Sequence, residues 1–168
     1  MNNYYDIYFK IYALEFFEKR VDWRLFKAMG MAESALNPEA VSPVGAFGVM
    51  QLMPDTSAWI SRLSGIPNTP KIPHLNIKLG ICYAYHCYTI WQAESAEEKI
   101  PFMCASYNAG PGNIINAQRQ ALKRGLNPAL WRDVSTCLSA VTGRHADETI
   151  NYVRRIIAYK EQLTDGSV

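Results

Sequence analysis

The chain reads as an all-α protein, α+β at most, with one minor short β element. Three observations lead there. Apolar residues recur three and four positions apart along most of the 168 residues, Ser, Asp and Asn stand where helices would begin with Gly where they would end, and no alternating apolar–polar run is long enough for a useful strand. No repeat, low-complexity tract or long linker divides the sequence, so one domain over residues 1–168 is expected.

The first element is an amphipathic helix over 4–19, in which Ile7, Ile11 and Leu14 form the helical repeat and Phe16 and Phe17 follow. Its positive charge is thin, which favours packing on the core over binding to a membrane surface. Asp22 is placed to cap a second helix running through Trp23, Phe26, Lys27 and Met29 to about Ser34. The stretch from Asn37 to Gly48 is dense in Pro, Gly and Ser, an ordered loop in which short extended pieces can form. Asp55 is the expected cap of a helix burying Trp59, Ile60 and Leu63 and ending near Gly65.

Asn76 is the expected cap of the next helix, whose apolar face runs from Leu79 to Ile90. Ser95 and Glu98 have the spacing of a capping box for a helix reaching Tyr107, and Pro101, a turn inside it, predicts a late start or a kink. Asn108 to Gly112 must break the chain before a helix over about 113–123. A short helix near 133–141 then stops at Gly143, and the last helix, about 147–163, buries Ile150, Val153 and Ile157.

A 49% apolar content suffices to bury a real core, and a net charge of +2 without runs of Lys or Arg excludes a dedicated nucleic-acid binder. Cys82, Cys87, Cys104 and Cys137 lack zinc-type paired spacings and read as buried thiols, which points to synthesis in the cytoplasm; His74, His86 and His145 are scattered, so no metal is expected. The four tryptophans, at helical spacing, read as core. No phosphate loop or dinucleotide fingerprint is present, and no cofactor is implied. The N-terminus lacks a signal peptide and no apolar stretch is long enough to span a bilayer, so stable membrane insertion is not expected.

The carboxylate that stands out is Glu33, flanked by Met29, Met31, Ala32 and Leu36. Desolvation penalises the charged form, so a carboxyl pressed against such groups keeps its proton to higher pH, as a general acid requires. A glutamate near a helix end is most often a solvated surface residue, so its setting has to carry the reading. Glycoside cleavage also commonly uses a second carboxylate roughly 5 to 9 Å from the first. Asp22 and Asp55 are nearest in sequence, but each reads as a helix cap.

The run Glu33-Ser34-Ala35-Leu36-Asn37-Pro38, followed by Ser42-Pro43-Val44-Gly45-Ala46-Phe47-Gly48-Val49-Met50-Gln51-Leu52-Met53-Pro54, resembles the first two motifs of the lytic transglycosylases with a lysozyme-like domain. Asn76 to Tyr83 is similar to that family's Gly-x-x-Tyr helix, while 105–112 (ASYNAGPG) and 148–153 (ETINYV) resemble two further motifs in the same order, giving a motif-bearing core of 22–163.

This resemblance implies a lysozyme-like helical globule in which Glu33 serves first as acid, then as base. The bond cut would be the β-1,4 link after N-acetylmuramic acid in peptidoglycan. The sugar's own 2-acetamido group would replace the second carboxylate, and its 6-hydroxyl would attack to leave a 1,6-anhydro end. By the same resemblance Tyr107 would bond toward the acetamido group or Glu33, with Ser42 and Asn108 fixing that region. Gln51 and Met53 would line the glycan groove, Met50 and Leu52 would face the core, and Glu148, Tyr83 and Tyr152 are further substrate-binding candidates. Gly45, Gly48, Gly110 and Gly112 would permit tight turns and close approach of the backbone to sugar.

The implied partner is the glycan strand of peptidoglycan, and the implied state is a monomer. The compact sequence, without wall-binding repeat or leader, is similar to a phage lysis enzyme made in the cytoplasm and acting on the wall in the periplasm through a lysis pore, virion or secretion apparatus. Two alternatives stay open: a hydrolytic muramidase resembling goose-type lysozyme, and a non-catalytic glycan-binding structural protein.

Overall fold

A computed structural model of the protein describes residues 3–166. Its helices are α1 (Asp6–Phe17), α2 (Trp23–Ser34), α3 (Pro54–Ser64), α4 (Pro73–Ile90), α5 (Ala96–Ala109), α6 (Pro111–Lys123), α7 (Trp131–Ser135), α8 (Ser139–Thr142) and α9 (Ala146–Thr164), with a 3-10 turn at Gly143–His145. The β structure among the described residues consists of isolated antiparallel bridges pairing Val41 with Phe47 and Phe47 with Leu52. The all-α class with a minor β element is therefore what the chain adopts. Its contacts gather into two compact units, Met1–Tyr85 with Arg155–Val168, and His86–Arg154.

In the first unit, α1 is helical as expected but turned the other way. Tyr5, Phe9, Ala13 and Phe17 are buried, whereas Ile7, Ile11 and Leu14 are each about half exposed or more, at 55%, 50% and 57%. Both sets have helical spacing and lie on opposite sides of the helix, so α1 is apolar on two faces rather than amphipathic. The aromatic face wins because its rings bury more area per residue. Phe17 meets Phe26 of α2 at 4.7 Å between ring centroids and Tyr85 edge-on at 5.2 Å.

Lys27 of α2 is almost wholly buried, with its ammonium 2.6 Å from Asp6 and 2.8 Å from the Asn3 amide oxygen. A buried ammonium needs such partners, because the interior offers no water in their place. Asp22 does cap α2, accepting from the Arg24 N–H at 2.9 Å. The helix ends with Ala35 and Leu36 both at positive φ, and the Leu36 N–H returns to the Gly30 carbonyl at 3.2 Å, closing the last turn.

Asp55 is not a cap. The helix begins at Pro54 with Met53 at the cap position and no side-chain bond, since proline's missing N–H removes one donor that a cap would satisfy. Leu63, expected in the buried stripe, is 64% exposed, and the inner face consists of Ser57 and Ile60. Asn76 is not a cap either. Helix α4 starts a turn earlier at Pro73, and Asn76 is buried within it.

The Asn76 side chain accepts from the Met50 N–H at 2.8 Å and donates to the Phe47 carbonyl at 2.9 Å. Gly48, at φ +79°, lies so close that a Cβ there would stand 2.6 Å from the Asn76 Nδ2. Gly48→Ala combines that clash with a left-handed backbone, and it is expected to destabilise the protein by about 1–3 kcal/mol. A thermal melt checks this, and an unchanged midpoint would refute it.

In the second unit, Trp91, Phe102 and Trp131 form an aromatic core with centroids 4.9 and 5.8 Å apart. Ser95 caps α5 through the Glu98 N–H at 3.3 Å, but the Glu98 carboxylate, instead of reaching back to complete a capping box, accepts the Trp131 N–H at 2.7 Å. Helix α5 starts directly after its Ser95 cap rather than late, and it is continuous through Pro101. Gly110, at φ +82°, alone makes the break before α6, and Gly112 lies inside that helix rather than in a turn. One expected short helix is in fact two, α7 and α8. In the part of α9 that belongs to the first unit, Ile156 is buried in place of Ile157, which is 38% exposed.

Candidate active site

In the first unit, Glu33 is the penultimate residue of α2 and half-buried. Met29, one turn back on the same face, is fully buried, and Leu36 just beyond the helix is 4% exposed. Ser34 ties this helix end to the following loop: its hydroxyl donates to the Val49 carbonyl at 2.9 Å and lies 3.3 Å from the Gly30 carbonyl. Gly30 lets the elements approach closely, since a Cβ there would come within 3.0 Å of Leu36 and 3.2 Å of both Phe9 and Val49. The carboxylate is thus carried on a helix end fixed from several sides, which is what a catalytic group needs from its support.

The loop that Ser34 touches carries three of the substrate-binding candidates. Ser42 accepts the Ala46 N–H at 2.9 Å and closes the Pro43–Gly45 turn, keeping its hydroxyl proton as a donor. Gln51, at φ +45°, spends its amide N–H groups on the carbonyls of Ala40 at 3.1 Å and Gly48 at 2.9 Å, so its remaining offer to a ligand is its amide oxygen. Met53 is 40% exposed, while Met50 and Leu52 are core, as their alternation predicts. On α4, Tyr83 is half-buried and meets Trp59 edge-on at 6.3 Å. Beside it, burial pushes the Cys82 thiol up, against a hydrogen bond from Ser64, so it is no thiolate nucleophile at neutral pH.

The second unit holds the other candidates. Tyr107 is buried near the end of α5, and Asn108 follows it half-buried. The Asn108 amide oxygen accepts from Thr149 of α9 at 2.7 Å, which leaves its N–H groups as donors. Thr149 is 2% exposed, and sequence reasoning gave it no role although it sits inside one of the motifs. A cavity of about 340 Å³ opens here, with Asn108, Asn113, Thr142, His145, Glu148 and Thr149 among its lining. Glu148 is exposed, 3.7 Å from the His145 ring, a histidine the sequence gave no reason to notice. Tyr152, one turn along α9, is 2% exposed.

Asp22 and Asp55 do not rival Glu33. The first is held by its cap bond and by Arg24 at 2.9 Å, and the second is an exposed first-turn residue. Among the described residues no group of three or more His, Cys, Asp or Glu could hold a metal ion, and no helix is long and apolar enough to cross a membrane. Cys82, Cys87, Cys104 and Cys137 form no disulfides; the last three are buried as expected, and Cys82 is only half-buried.

Fold and site together define an all-helical domain that presents a carboxylate at a helix end beside a pinned, glycine-rich loop. A sequence model of the transglycosylase SLT domain matches residues 16–128, a span that takes in parts of both units. The membrane-bound lytic murein transglycosylase F of Photobacterium profundum is 33% identical, over 92% of this chain and 30% of its own length. That of Pseudomonas fluorescens is 30% identical, over 95% of this chain and 34% of its own.

Among solved structures, the 70 kDa soluble lytic transglycosylase SLT70 of Escherichia coli matches with a TM-score of 0.73 and 28% identity, over 95% of this chain and 24% of that one. An inactive variant of the lytic transglycosylase Slt of Pseudomonas aeruginosa gives 0.72 and 28%, over 94% and 23%. The chain belongs to the transglycosylase SLT domain family, and its helical fold is the lysozyme-like one of that family. It spans about a third of the length of the curated relatives it matches. These relatives are named as membrane-bound bacterial enzymes, and their names carry no phage or secretion setting.

Proposed function

We propose that this domain cleaves the glycan strands of peptidoglycan as a lytic transglycosylase, with Glu33 as its acid and base. The observation that carries the reading is the placement of Glu33: it is half-buried in the last turn of α2, next to buried Met29 and Leu36, and braced through Ser34 against the loop bearing Ser42, Gln51 and Met53.

Glu33 gives its proton to the glycosidic oxygen, and that bond breaks with its electron pair going to the leaving sugar. The substrate's 2-acetamido group supports the positive charge left at the anomeric carbon. The 6-hydroxyl of the same sugar then bonds to that carbon and returns a proton to Glu33, closing the anhydro ring without consuming water. An internal hydroxyl held in line outcompetes bulk water through proximity. The 2-acetamido group also removes the need for a second carboxylate in the protein, which fits Asp22 being held by its cap bond and Arg24 and Asp55 lying exposed in the first turn of α3.

The Ser42 hydroxyl, the Gln51 amide oxygen and the Met53 side chain serve the glycan from the first unit, with Tyr83. Taken by itself, the second unit has its own candidates for holding glycan: Asn108 with its amide donors, Glu148 with its carboxylate, Tyr107 and Tyr152. The domain acts as a monomer on the wall, in the periplasm. Purified sacculi should lose turbidity and release soluble muropeptides with the wild-type protein. Sedimentation with sacculi and no clearing would instead identify a glycan-binding module.

A further inference from the structure

We propose that Asn76 is a positioning residue for glycan cleavage: its buried amide holds the 47–50 backbone, which places Gln51 and braces the helix end that carries Glu33. The inference deepens the function proposed above and rests on it for the link to activity.

A buried amide without partners is costly, so an asparagine with no exposed surface at the end of the first turn of α4 calls for a use. Both ends of the amide are used, and both on the loop: the oxygen takes the Met50 N–H and the nitrogen gives to the Phe47 carbonyl. A β ladder would normally satisfy such loop backbone, but here only isolated bridges at Val41–Phe47 and Phe47–Leu52 exist. Asn76 adds to these bridges a bond with the Met50 N–H and a second bond to the Phe47 carbonyl, which also accepts the Leu52 N–H at 3.1 Å.

The fit is close on both sides. Gly48 lies against the Asn76 amide, and Gly80, one turn on along α4, lies under Met50, where a Cβ would stand 2.6 Å from the Met50 Cβ. From the backbone so fixed, the Val49 carbonyl receives the Ser34 hydroxyl and the Gly48 carbonyl receives the Gln51 amide. One side chain therefore sets the seat of a substrate-binding candidate and the brace of the residue next to Glu33. Displacements on the order of 1 Å at such a site cost on the order of a hundredfold in rate.

Asn76→Asp provides a test that a merely structural role would not pass. The groups the side chain bonds are uncharged backbone, so the state of the new carboxyl decides the outcome. Ionised, it confronts the Phe47 carbonyl with a second acceptor; protonated, it offers one donor and one acceptor, as the amide does. Its kcat/KM on sacculi, relative to wild type at each pH, should fall by on the order of a hundredfold where the carboxyl is ionised and recover as pH drops through its ionisation. Asn76→Leu should show a similar loss at every pH.

In the wild-type protein, amide hydrogen exchange at Met50 should be as slow as at Ile81 in the buried part of α4, which tests the hold on the loop without any variant. Folded variants with wild-type kcat/KM, a loss in Asn76→Asp indifferent to pH, or a Met50 amide exchanging as fast as that of exposed Val44 would each overturn the proposal. If the wild type cleaves no glycan, the activity reading fails by itself, and Met50 exchange still reports whether Asn76 holds the loop.

Discussion

Glu33→Gln is expected to lower glycan cleavage by about 10²–10⁴-fold, with little change in the melting temperature. The amide matches the carboxyl in shape but cannot release a proton to the glycosidic oxygen or take one from the 6-hydroxyl, so both steps suffer. The helix end that holds it is secured by other groups: the Ser34 bond to the Val49 carbonyl, the return of the Leu36 N–H to Gly30, and the contacts around Gly30. Turnover of sacculi beside a thermal melt separates the two effects. A variant that unfolds would show Glu33 to be structural, and one that retains wild-type turnover would remove it from the chemistry.

Asp6→Ala is expected to cost about 3–5 kcal/mol of stability. The substitution takes away the carboxylate 2.6 Å from a lysine that is 1% exposed and leaves the Asn3 amide oxygen as its remaining partner. A charge stranded in the interior either drags water in or gives up its proton, and each costs free energy. Lys27→Met in the same background should recover part of the loss, because an apolar chain of similar length fills the space without a charge to solvate. Chemical denaturation of the single and double variants measures this, and a double variant no more stable than Asp6→Ala would refute it.

Much of this architecture was legible from residue spacing. The bounds of α2, α3 and α9 fell within a residue or two of their caps and glycines, and the Pro- and Gly-rich stretch before α3 holds the small β bridges expected of it. What failed did so where a local rule had two solutions. Ile7, Ile11 and Leu14 of α1 and Phe9, Ala13 and Phe17 are both apolar rows of helical period, so periodicity could not say which faced inward. Packing of Phe9 and Phe17 decided it.

Asn76 and Asp55 have side chains that suit a helix start, yet prolines three residues and one residue earlier began those helices instead. The amide of Asn76 was thereby free for the loop, a long-range use that a local pattern does not contain. Thr149 was invisible for the same reason, as its partner Asn108 lies 41 residues away. Glu33 itself was found through its apolar neighbours and the motifs around it, whereas its bracing by Ser34 needed three-dimensional information.

Purified peptidoglycan digested to completion by the wild-type protein, with the released muropeptides weighed, tests the central claim most directly. Muramic acid ends lighter by one water, in the 1,6-anhydro form, are the predicted product of a proton shuttle by Glu33 with attack from within the sugar. Fully hydrated reducing ends without any anhydro species would contradict it and identify a hydrolase.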